Sequence, residues 1–157
     1  NPDVLCIFTF YAEGAIITQQ AKDLGIECQY VSSGTFVDDQ YLSIAGEDCE
    51  GMYAINEFVA DDPRESVQDF FKRYEELVAD GSKPGSYSGN SYDAVGVILQ
   101  AGQDKGFTRS GINQGLKELS GYVGVTGELS FTNQEVVKPQ VIVQVKEGVW
   151  SFVKEAE

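Results

Sequence analysis

Val4-Leu-Cys-Ile-Phe-Thr-Phe10, followed at once by Tyr11-Ala-Glu-Gly14 and a helix-patterned run to Gly25, decides the fold class of this chain. The first segment is apolar almost throughout, as expected of a parallel strand covered on both faces. Ile17, Ala21 and Leu24 then recur at helical spacing, Gly25 suits a left-handed helix stop, and Cys28 to Val31 is again β-prone. The pattern predicts a βαβ unit. Its right-handed crossover makes both strands parallel, so their C-terminal ends, near Phe10 to Glu13 and Ser32 to Phe36, open on one edge. Small polar ligands bind at such edges in α/β proteins.

Working outward, Gln40 to Ala45 reads as a short helix and Met52 to Val59 as a strand. Asp62, Pro63 and Glu65 have the spacing of a capped helix start, and Val67, Phe70, Phe71, Tyr74, Leu77 and Val78 form one apolar face after it. Gly81 to Asn90 reads as a surface loop, and Tyr92 to Ala101 as a helix apolar on much of its circumference, hence buried between layers. Thr108 is placed to cap a further helix bearing Ile112, Leu116 and Leu119, with Phe107 positioned to staple onto Ile112. Gly121 to Phe131 holds turn glycines and short β-prone pieces. Gln140 to Val145 and Val149 to Val153 form two strands around a Lys146-Glu-Gly148 turn. This order predicts α/β class with an antiparallel addition at the end.

The composition narrows the chemistry. A length of 157 residues, 42% apolar, suffices for a core, and 25 acidic against 11 basic residues give a formal charge of −14, which disfavours nucleic acid and anionic membranes as partners. No apolar run approaches the roughly 18 to 20 residues of a membrane span, and Asn1-Pro2-Asp3 is not the basic start of a signal peptide, so the chain reads as mature, trimmed or a fragment. The absence of histidine removes Ser-His-Asp and Cys-His catalysis and His-based metal sites. The phosphate-loop pattern is missing, and the acidic pairs lack calcium-loop spacing, so no metal and no cofactor is expected. Cys6 is expected to be a small buried apolar residue; Cys28 and Cys49 are expected to remain unpaired.

The segments Phe10-Tyr11-Ala-Glu13, Gln20-Ala-Lys-Asp-Leu-Gly25-Ile and Leu42-x-x-Ala45-Gly46-x-x-x-Glu50-Gly51 resemble the leucine/isoleucine/valine-binding proteins, type I periplasmic solute-binding components of ABC transporters. Tyr92-Asp-Ala, Gly124-x-Thr-Gly127-x-x-x-Phe131 and the closing strands to Trp150 resemble the later part of the same family. The resemblance implies a periplasmic-binding-protein-like type I fold, here partial: a parallel sheet with flanking helices and terminal antiparallel strands. It further implies two lobes closing on an amino acid or similar solute, with no enzymatic step, an ABC permease as partner, and a periplasmic or lipid-anchored extracytoplasmic location. By length this chain resembles only the later half of such a protein. Residues 1–53 plus 121–157 would belong to the C-terminal lobe, and 54–120 would cross the hinge to the N-terminal lobe. The missing N-terminal half, or a swapped second copy, is then an expected partner.

Site candidates follow from the strand ends and the resemblance together. Phe10 and Tyr11 are placed as aromatics against a ligand, with core packing the alternative for Phe10. Glu13 is a candidate partner for a ligand ammonium, or simply an acid at a helix N-terminus. Ser32, Ser33, Gly34, Thr35 and Phe36 form a second candidate wall, or an ordinary turn. Several amino-acid binders of the family carry an acidic residue where Gly34 stands. A ligand-sensing domain of a receptor or regulator, and a histidine-free α/β enzyme, are the competing readings.

Overall fold

The computed structural model describes residues 2–156, so the outermost residues of the expected lobe boundaries, Asn1 and Glu157, lie outside the described residues. It contains two compact units, the residues up to Asp62 with Val141–Ala156, and Pro63–Gln140.

In the first unit β1 (Val4–Ile7), α1 (Tyr11–Asp23) and β2 (Gln29–Ser33) form the expected βαβ, with β1 and β2 parallel. A 3-10 turn (Gly34–Phe36), α2 (Asp39–Ala45), a second 3-10 turn (Gly46–Cys49) and β3 (Tyr53–Asn56) follow; β3 is parallel to β2. The sheet runs β1-β2-β3-β7-β8, closed by β7 (Gln140–Lys146) antiparallel to β3 and by β8 (Val149–Ala156). Glu147 and Gly148 turn the last two strands at φ 53° and 73°, the left-handed pair that a two-residue hairpin requires. Their amides donate to the Glu50 carboxylate.

β1 is not covered on both faces. It is an edge strand, and Val4, Cys6 and Phe8 are exposed. The apolar run records side chains that seek burial, but among the described residues burial reaches only one side of the strand, at Ile7. Cys6 is therefore not the buried residue expected, and all three cysteines are free thiols. The core gathers on the face toward α1 and α2, from Ile7, Ala15, Tyr30, Phe36, Tyr41, Met52 and Val145.

Tyr41 sits at the centre of that core. It is fully buried, its ring centroid 4.9 Å from that of Phe36 with the planes tilted by 36°, and its hydroxyl 3.0 Å from Thr18 Oγ1 and 2.8 Å from Met52 Sδ. Burial pushes its pKa up to about 12, opposed in part by Thr18. The folded state thus holds the phenol proton more tightly than the unfolded chain does. Its contribution is intact below pH 10 and is lost as pH rises towards about 12. Denaturant titrations of wild type and Tyr41→Phe across this window are expected to show a smaller alkaline loss in the variant; equal losses would refute it.

The second unit holds α3 (Glu65–Leu77), α4 (Ser86–Lys105), α5 (Arg109–Glu118) and a sheet of β4 (Tyr122–Gly124), β5 (Gly127–Thr132) and β6 (Glu135–Val137). Several local expectations differ here. The helix starts at Glu65, two residues after the expected Pro63, because Arg64 stays extended at ψ 130° in the capping position. Leu77 is 84% exposed, and Val78 lies past the helix end. α4 begins six residues before Tyr92, within the expected loop; Lys138 holds that first part by donating to Asn90 Oδ1. Thr108 does cap α5, accepting from the Gly111 amide at 3.0 Å. Phe107 lies over Gly102, where a Cβ would stand 2.4 Å from the ring, and is 65% exposed.

Ala54 to Asp62 stays with the first unit because β3 pairs through Asn56 with β7. Residues 121–140 join the second because β4 to β6 pair with one another.

Candidate functional site

Three parallel strands end at one edge of the first unit, and the residues beyond Ile7, Ser33 and Asn56 meet there. Phe8-Thr9-Phe10 leads from β1 into α1. Phe10 is the N-cap, with an extended backbone and no side-chain capping bond, and is 62% exposed. Its aromatic ring is therefore outside the core formed by the described residues. Tyr11 is half-buried and leans on the core cluster; Glu13 lies exposed in the first helical turn, where the helix dipole favours an acid.

The loop after β2 is fastened to this entry. Thr35 donates to the Thr9 carbonyl at 2.7 Å, and the Ser33 and Thr35 hydroxyls are 2.9 Å apart. Phe36 is fully buried beneath α1, whose Gly14 leaves room for the ring: a Cβ there would lie 2.0 Å from Phe36 Cζ. The structure therefore brings the two candidate segments together on one edge. Their side chains divide, however. Ser32, 1% exposed, donates to the Ile7 carbonyl at 2.8 Å, and Phe36 belongs to the core, so these two serve the interior. Phe10, Tyr11, Glu13, Ser33, Gly34 and Thr35 keep an outward aspect.

A further residue, absent from the sequence reading, shapes this wall. Asn56, at the end of β3 and 2% exposed, donates from Nδ2 to the Phe58 carbonyl at 2.7 Å. That bond aims Oδ1 at Gly34, where a Cβ would stand only 2.6 Å away. The available signal was a polar amide within the apolar run Met52 to Val59.

The wall offers hydroxyl and aromatic groups. Among the described residues no group of three or more Cys, Asp or Glu is arranged to hold a metal ion, and no helix is long and apolar enough to cross a membrane. Cavities also lie among the described residues of the second unit. One, of about 530 Å³, is bordered by Gln100, Asp104, Lys105, Glu118 and Tyr122; Lys105 meets Glu118 at 2.6 Å and Gln100 donates to Asp104, which leaves one carboxylate charge in excess. Another, of about 360 Å³, is lined by Asn113, Leu116, Lys117, Phe131, Asn133 and Gln134.

Similarity to known proteins follows the same architecture. A Leu/Ile/Val-binding protein homologue of Brucella abortus is 27% identical over 124 residues, which are 77% of this chain and 32% of the relative. The leucine-binding protein LivK of Thermotoga maritima superposes on 99% of this chain with a TM-score of 0.87 and 25% identity, over 45% of its own length. LivJ of Streptococcus pneumoniae, solved with isoleucine, superposes on 97% with a TM-score of 0.82; at 22% identity it speaks for the fold alone. The chain thus spans about a third of the curated relative and under half of each solved structure. The family model for periplasmic binding proteins matches residues 1–149, across both units, and by that match the chain belongs to the periplasmic binding protein family.

Proposed function

We propose that this chain is part of the extracytoplasmic solute-binding component of an ABC importer, capturing an amino acid or similar small polar solute. The observation that carries this reading is the family match over residues 1–149, joined to an edge where aromatic and hydroxyl groups converge. In this reading the first unit is the bulk of one lobe and the second belongs to the other. The edge carrying Phe10, Tyr11, Glu13, Ser33, Gly34 and Thr35 is one wall of the binding site.

The opposite wall would come from a complementary half of the same fold, either the rest of a longer protein or a second copy. An ABC permease is the partner that receives the solute. The exposed apolar side chains agree with a missing complement: Val4 on β1, Phe8 just past its end, and Tyr92, Val95, Ile98 and Leu99 on α4.

Thermal-shift screening of the full-length protein against amino acids, short peptides, polyamines, sugars and organic acids tests the reading. A solute at 100 times its Kd stabilises by about 2.7 kcal/mol, so a true ligand is expected to raise Tm by several degrees. Silence across all classes would sink the proposal. Turnover of a solute would replace it with an enzyme.

A further inference from the structure

The hydroxyl protons of the β2 wall all point away from solvent. Ser32 spends its proton on the Ile7 carbonyl and Thr35 on the Thr9 carbonyl. A hydroxyl has one proton, so in the 2.9 Å contact between Ser33 and Thr35 the donor must be Ser33. Ser33 Oγ therefore turns only lone pairs outward. It is a neutral acceptor.

Nor can position 34 of this loop present a charge. Gly34 has no side chain, and one added there would meet Asn56 Oδ1 at 2.6 Å and the Ile55 carbonyl at 3.3 Å. Asn56 cannot swing aside cheaply, since its amide is buried and held by the Phe58 carbonyl. Of the neighbouring acids, Asp38 caps α2, accepting from the Gln40 amide at 2.7 Å, half-buried Glu57 follows Asn56 past the end of β3, and Glu13 is exposed on the first turn of α1; none of them stands at position 34 beside Ser33. Residues 31 to 63 contain no Lys or Arg.

An ammonium group moved from water into a closed site needs a counter-charge, whereas a hydroxyl or amide N–H needs only an acceptor lone pair. We propose that the solute meets this wall through an uncharged donor, a hydroxyl or an amide N–H delivered to Ser33 Oγ, and not through an ammonium group. Phe10 and Tyr11 flank that donor with apolar ring surface. The inference rests on the solute-capture reading above and narrows its ligand class.

Matched pairs differing only at the α-substituent test it on the full-length protein by isothermal titration: L-leucine against its α-hydroxy analogue leucic acid, and L-phenylalanine against phenyllactate. The hydroxy member of a pair is expected to bind at least about tenfold tighter, and Ser33→Ala to weaken it by about tenfold. Equal or tighter binding of the amino acid overturns the proposal; loss of that binding in Glu13→Gln would then assign the ammonium to Glu13. An unchanged affinity in Ser33→Ala also overturns it. If the screen yields some other solute instead, one whose only donor is an ammonium group counts against the proposal, and one with an uncharged donor supports it. Failure of every solute removes the capture reading itself, a different result from amino-acid preference.

Discussion

Asp93→Ala is expected to lower the stability of the protein by about 3 to 5 kcal/mol, read as a drop in the denaturation midpoint of the full-length chain. Asp93 is 2% exposed, in the middle of α4. Its Oδ1 accepts from the Val125 amide at 2.8 Å, and its Oδ2 from the Thr126 amide at 2.8 Å and the Thr126 hydroxyl at 2.7 Å. One carboxylate thus ties α4 to the turn between β4 and β5, where Val125 and Thr126 are themselves buried.

Alanine would leave three buried donors without acceptors, and each such group costs about 1 to 3 kcal/mol. Asp93→Asn keeps the shape but turns an amide donor towards one set of donors, so an intermediate loss is expected. A loss below about 1 kcal/mol in the alanine variant would show that water replaces the carboxylate at no great cost, and the clamp would be discarded.

Gly14→Ala is the second large effect, because helix propensity and packing pull in opposite directions there. Alanine is favoured over glycine within a helix by about 1 kcal/mol, and Gly14 lies in the first turn of α1. Yet its added Cβ would stand 2.0 Å from Phe36 Cζ and 2.6 Å from each Cε. The ring has little room to retreat, being fully buried and packed against Tyr41. Overpacking of this kind costs about 1 to 3 kcal/mol, occasionally more.

Net destabilisation is therefore expected, together with weakened solute binding, since Phe36 ends the loop that carries Ser33 and Thr35. Phe36→Leu alone should destabilise by opening space. Combined with Gly14→Ala, it should lose less than the sum of the two single changes, a coupling that a double-mutant cycle measures. A stabilised Gly14→Ala, or additive losses in the cycle, would mean that the ring yields freely.

The candidate wall was partly readable before any coordinates. Strand ends, a glycine stop and a following strand were enough to place Phe10 to Glu13 beside Ser32 to Phe36, because a right-handed crossover leaves no other common edge. The division of labour within those segments was not readable. Ser32 and Ser33 are adjacent hydroxyls in the same strand, and only the pairing of β2 beside β1 turns the first towards the Ile7 carbonyl and leaves the second outward. Asn56 belongs to the same category: its bearing on Gly34 arises between strands and the loops that leave them.

Local chemistry alone determined the βαβ order, the hairpin at Glu147-Gly148, the Thr108 cap and the exclusion of histidine-dependent catalysis, since each depends on residues a few positions apart or on composition. Tertiary structure alone decided that Cys6 and Val4 lie exposed on an edge strand, that Asp93 serves Val125 and Thr126 across more than thirty residues of chain, and that residues 121–140 leave the first unit. Periodicity records which side chains seek burial. What covers them, and which buried donor meets which acceptor, depends on segments that come together only when the chain has folded.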